Sequence, residues 1–129
     1  MSQPAAKAFL DKAEEYLASA QDNLSQERFT VAAGDAIHAG ISAKDAIVTA
    51  LTGTTSKGKD HTMAVAELRR SLGERTEAAS AERVLRELVA AKSEVEYGAT
   101  AIPASKATAL VRRASMLCDL ASKIARNQR

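Results

Sequence analysis

Apolar residues recur at three- and four-residue steps through most of the chain, the spacing of helices that bury one stripe. Over residues 5–24 the stripe is Phe9, Ala13, Tyr16, Leu17, Ala20 and Leu24, with Glu14, Glu15 and Asp22 off it. A polar Ser25-Gln26-Glu27 turn leads into a second helix over 28–51, striped by Ala33, Ile37, Gly40, Ile41, Ile47 and Leu51. Gly34 and Gly40 each cost that helix about 1 kcal/mol relative to Ala. With Ala32, Ala33, Ala36, Ala39 and Ala43 they make it thin, which implies close backbone approach inside a bundle or across a homodimer.

Residues 52–60 read as a loop, with Asp60 placed to cap a short helix over 61–72 that carries Met63 (or Ala64), Val65, Leu68 and Leu72 and stops at Gly73. A polar stretch precedes a long helix over 80–99, with Val84, Leu85, Leu88, Val95 and Ala99 on its buried face and Glu82–Arg86 on its exposed one. Ile102-Pro103 ends it, because the residue before proline avoids helical dihedrals. Ser105 then caps the last helix, which has the cleanest stripe: Ala107, Leu110, Val111, Ala114, Leu117, Cys118, Ala121 and Ile124. The expected fold is all-α: an antiparallel up-and-down bundle of four long helices and one short one, a single domain over 1–129.

Composition sharpens this. Of 129 residues 46% are apolar and 3% aromatic, and 28 are alanine. Gly and Pro number 6 and 2, too few for a turn-rich β sandwich or barrel. Net charge is +2, so no strong polyelectrolyte attraction is implied, but its distribution is uneven. Residues 1–52 hold 4 basic and 7 acidic groups, and residues 53–129 hold 14 and 9. The basic last helix can face an acidic partner or nucleic-acid phosphates, or it can neutralise the acidic first half of the same molecule. A single cysteine, no signal-like start and no long apolar run give the expectation of a soluble, cytoplasmic protein with no membrane partner.

Three groups are candidates for chemistry. Gly53-Thr54-Thr55-Ser56-Lys57-Gly58-Lys59 has the glycine and lysine spacing of a phosphate loop, but Asp60 stands where Mg²⁺ coordination needs a hydroxyl and a helix precedes it in place of a strand. Nucleoside-triphosphate hydrolysis is therefore not expected. A polar strip of Asp35, His38, Ser42 and Asp45 follows one face of the second helix, with His61 beyond it. It reads as a metal or acid–base candidate, or as a solvated or interface-facing strip with His38 paired to Asp35. No Glu-x-x-His pair of the bundle di-metal kind occurs, so no metal or cofactor is expected. Cys118 lies on an apolar stripe and is expected to be buried. Lastly, Lys92 and Tyr97 near one bundle end, with Arg112 and Arg113 on the following helix, are candidates for binding phosphates or a partner.

The segments "AAGDAIHAGISAKDAIVTALTG", "GKDH", "AKSEVEY" and "SKATALVRRASMLCDLASKI" together resemble the HEPN family (higher eukaryotes and prokaryotes nucleotide-binding domains) over residues 8–125. The resemblance implies a small, often dimeric helical bundle. Catalytic members are metal-independent ribonucleases with an Arg followed four to six residues later by His. This chain has no such pair: Arg28 is ten residues before His38, and Lys92 to Ile102 contains no histidine. The expectation is therefore a non-catalytic, homodimeric binding module for a partner protein, encoded nearby, or for RNA or nucleotide phosphates. A divergent ribonuclease of a toxin–antitoxin or defence system, using His38 or His61, is the alternative.

Overall fold

The structure, a computed structural model, describes residues 4–56 and 61–127. Six helical segments account for its regular structure: α1 (Pro4–Ser25), α2 (Phe29–Thr52), α3 (His61–Leu72), α4 (Ala78–Ala90), α5 (Lys92–Tyr97) and α6 (Ala104–Asn127). Cross-helix pairs give their directions. Tyr16 meets His38 and Ser19 meets Asp35, so α1 and α2 are antiparallel. Gly40 faces Leu88 whereas Gly34 faces Val95, so α2 runs against α4 and α5. Arg113 meets Glu87 and Lys123 meets Glu77, so α4 and α6 are antiparallel in turn. The result is an up-and-down all-α bundle with α3 inserted between α2 and α4.

The core is one cluster with residues from every helix, among them Leu10, Ile47, Leu68, Leu88, Val95 and Leu117. Its axis is α2, which packs against each of the other segments. From Ala46 to Ala50 every residue of α2 is buried, the pattern of a helix surrounded on all sides. The alanines that thin this helix are used inside the chain: Ala32, Ala33, Ala36, Ala39 and Ala43 are all fully buried.

The two mid-helix glycines turn out to differ. A methyl group on Gly40 would lie 2.5 Å from Leu88 Cδ1 and 3.7 Å from Leu117 Cδ1, so any side chain there would have to displace the buried Leu88. A methyl on Gly34 would meet only Val95 Cγ1, at an ordinary 3.8 Å. Close approach therefore accounts for Gly40 and not for Gly34.

Three boundaries depart from the periodicity. The helix expected over 80–99 is two pieces, α4 and α5, divided at Ala91, whose N–H turns back to Leu88 O. The division lets Val95 bury while Ala99 falls outside the helix, exposed. The bundle thus has three long helices, two of intermediate length and one short one. Ser105 is not a cap: α6 begins at Ala104, and Pro103 O accepts the first bond, from Ala107 N–H. The α1–α2 turn closes with Glu27 in the left-handed region at φ 59°, which lets Arg28 N–H reach Asn23 O.

Thr49 of α2 is 2% exposed, and its hydroxyl has no hydrogen-bond partner among the described residues. A buried hydroxyl left unbonded costs about 1–3 kcal/mol in desolvation. Thr49→Val keeps the shape and removes that polar atom. We expect it to raise the urea midpoint at unchanged slope, by about 1 kcal/mol of stability; a lowered midpoint would show that the hydroxyl is satisfied.

Candidate functional site

Lys44 is the most unusual side chain in the molecule, a lysine only 2% exposed, on the central helix. Its ammonium lies 2.9 Å from Asp45 Oδ1 and 2.5 Å from Glu67 Oε1 of α3, and donates to Thr55 Oγ1 at 3.0 Å. Thr55 in turn donates to Asp45 Oδ1 at 2.9 Å. Ser56 holds the same glutamate through its amide, 3.1 Å to Oε2, and its hydroxyl, 3.0 Å to Oε1. Burial alone would raise the Glu67 carboxyl, but Lys44 and Ser56 together outweigh it and hold the group below its usual range. Every polar atom of Lys44 is engaged, so this network clips the segment after α2 to α3. Its role is structural.

The polar strip does not form one site. Asp35 accepts from Ser19 Oγ at 2.6 Å and Asn23 Nδ2 at 3.2 Å. His38 is not paired to Asp35: it stacks on Tyr16, with ring centroids 5.1 Å apart, and its Nε2 lies 3.8 Å from Glu96 Oε1. Ser42 is buried, and Asp45 belongs to the Lys44 network. His61 opens α3, half-buried. Lys57 to Asp60, with the phosphate-loop lysines and the Asp60 cap, lie outside the described residues.

Glu96 links two groups that are separate in sequence. Its Oε2 takes the Lys92 ammonium at 2.7 Å while Oε1 faces His38. The Lys92 hydrogen bond is the main influence holding this carboxyl below its usual range, against a smaller upward push from burial. Lys92 is thereby neutralised, and a carboxylate stands between it and the imidazole. A phosphate arriving here would meet that carboxylate. Tyr97 is 79% exposed at the end of α5, away from Arg112 and Arg113, which sit on α6 against α4. The four residues Lys92, Tyr97, Arg112 and Arg113 do not converge.

Arg112 and Arg113 instead border a groove between α4 and α6. Arg113 is held by Glu87, Nε to Oε1 at 3.0 Å and Nη2 to Oε2 at 3.4 Å. Across from it Arg83 lines the same concavity, and among the described residues neither Arg83 nor Arg112 has an ion-pair partner. Two adjoining hollows share Val84 and Met116; the second continues over Ala81, Leu117 and Leu120 to Glu77. Met116, 48% exposed, forms the middle of the floor. At the far end Glu77 meets Lys123 at 3.3 Å. Among the described residues, basic groups of α6 are thus balanced chiefly by Glu77 just before α4, Glu87 of α4 and Glu94 of α5, and only Arg126, 3.5 Å from Glu14, reaches the acidic first half.

Cys118 is buried, its thiol pointing at Ala13 O, 3.8 Å away. Burial first, then the charges of Glu14 and Asp119, pushes the thiol up to about 12. Only the thiolate reacts with alkylating agents. A pulse of iodoacetamide at pH 8 should leave native Cys118 unmodified and label it after urea unfolding; rapid labelling of the folded protein would contradict its burial. Among the described residues no group of three His, Cys, Asp or Glu is placed to hold a metal, and no helix is long and apolar enough to cross a membrane.

No protein-family model matches this sequence, and no curated protein matches it. Arg83, Met116, Lys44, Glu67 and Thr55 escape sequence reasoning. Met116 leaves one signal: like Leu120, it is a large apolar residue off the buried stripe of its helix. Arg83 leaves none, because only the tertiary fold sets α4 beside α6.

Proposed function

We propose that the chain is a non-catalytic, HEPN-like binding module that docks a partner protein in the groove between α4 and α6. One observation carries this reading: a floor of Val84, Met116 and Leu120 lies beside two arginines, Arg83 and Arg112, that the described residues leave without carboxylates. Exposed aliphatic surface with Met and Arg is the composition of protein interfaces. Stacking of bases needs aromatic rings, and none lines the groove. The resemblance in the α2, α5 and α6 segments supports the family part of the proposal. The alternative of a divergent ribonuclease loses support at His38, because its neighbouring cation Lys92 is already held by Glu96.

The test is a selection. A displayed library of randomised three-turn helices, panned on the full chain, should yield peptides with aliphatic residues at i, i+3 or i+4, and i+7. Their affinity, by fluorescence anisotropy, should fall about tenfold or more with Met116→Asp, which places a carboxylate on the apolar floor. Failure to select any peptide would overturn the proposal. So would cleavage of labelled single-stranded RNA in EDTA that His38→Ala abolishes, or salt-sensitive RNA binding that weakens in Arg112→Ala/Arg113→Ala.

A further inference from the structure

We infer that the occupant of the α4–α6 groove is an amphipathic helix with carboxylates at one end, which pair with Arg83 and Arg112 while its apolar stripe covers Met116. This rests on the groove being the docking site. Shape comes first. The α6 wall runs from Ala109 to Leu120, about 16 Å at 1.5 Å per residue, a length of three helical turns. On α6 the two hollows are lined by Ala109, Met116 and Leu120, at steps of seven and four residues, and an incoming helix presents apolar side chains at i, i+3 or i+4, and i+7 to cover them.

Charge then selects the occupant. The groove is not uniform along its length. At the Glu77 end the acid is matched by Lys123. At the other end Glu87 serves Arg113 alone, and the exposed Arg83 and Arg112 remain over. Arg113 is fixed in place by its two-point contact with Glu87, so the positive end has a rigid rim. Two unneutralised guanidinium groups, each able to grip a carboxylate at two points, favour acid at this end, while the paired Glu77 and Lys123 give the other end no such preference. A second copy of this chain is a poorer occupant, because the apolar stripes of its helices are already buried in its own core.

The experiment uses two labelled helical peptides of about 14 residues with the same leucine stripe, one ending in two Glu and one in two Lys. The Glu-ended peptide should bind wild-type protein at least about tenfold more tightly. In the Arg83→Glu/Arg112→Glu protein, checked for native circular dichroism, the preference should invert. If the two peptides bind equally and the double reversal changes nothing, the acidic occupant is wrong while the groove stands. If neither binds at millimolar concentration, the groove itself is not a helix-docking site and the proposed function falls with it. A wild-type dimer in sedimentation that Met116→Asp dissociates would assign the groove to a second copy and overturn the inference.

Discussion

Lys44→Met should destabilise the protein by about 3–5 kcal/mol at pH 7, because it leaves Asp45 and Glu67 facing one another with no cation between them. The wild-type network is costly to desolvate, and removing one partner exposes that cost without the attraction that offset it. Two companion measurements separate charge from packing. In Lys44→Met/Asp45→Asn/Glu67→Gln all the charges go, and most of the loss should be regained, since neutral replacement of a buried ion cluster is often near-neutral. The pH dependence has a definite sign. Glu67 has its folded pKa held below the ordinary value, so its contribution in the wild type is complete above roughly pH 5 and is lost as pH falls through the lowered value. In Lys44→Met the stranded carboxylates gain by taking up protons, so the gap between variant and wild type should narrow on acidification. A loss under about 1 kcal/mol at pH 7 would mean that Lys44 does not hold the segment as described.

Leu88→Ala should cost about 2–5 kcal/mol, since this side chain is fully buried where α4 presses on the centre of α2. Gly40→Ala meets the same leucine from the other side. Its gain of about 1 kcal/mol in helix propensity is outweighed by the overlap at 2.5 Å, leaving a net loss of about 1–3 kcal/mol. In the double variant the methyl added at position 40 enters the space that Leu88 vacates. The combined loss should therefore fall short of the sum by about 0.5–3 kcal/mol. Gly34→Ala is the control: with its nearest neighbour at 3.8 Å it should stabilise by up to about 1 kcal/mol. Urea denaturation of the four variants checks this; additive losses at 40 and 88 would show that the helices do not touch there.

The bundle was legible because α1, α2 and α6 each carry one continuous stripe, and stripe spacing is a local property of the chain. The division at Ala91 was not. Val84, Leu85, Leu88 and Val95 continue one stripe across it, and alanine is itself a good helix former, so only the packing of Val95 onto α2 reveals the bend. Lys44 stands between Ala43 and Asp45, beside the polar strip, and its burial follows from α3 covering that face, which no local pattern states. The candidate site was half legible. Arg112 and Arg113 were found from the basic excess of the last helix, but Glu87 and Arg83 lie on another element well before them in the chain, and whether an arginine is neutralised depends on that neighbour. The polar strip misled because a shared helix face does not imply a shared environment: α1, α5 and α3 each cover a different part of it.

That the molecule works by docking a helix between α4 and α6 is tested most directly by amide chemical-shift mapping with the Glu-ended peptide. Shifts should concentrate on residues 77–87 and 109–123, with Arg83, Arg112 and Met116 among the largest, and should vanish in Met116→Asp. Shifts centred on His38, Lys92 and Tyr97, with α4 and α6 undisturbed, would contradict it.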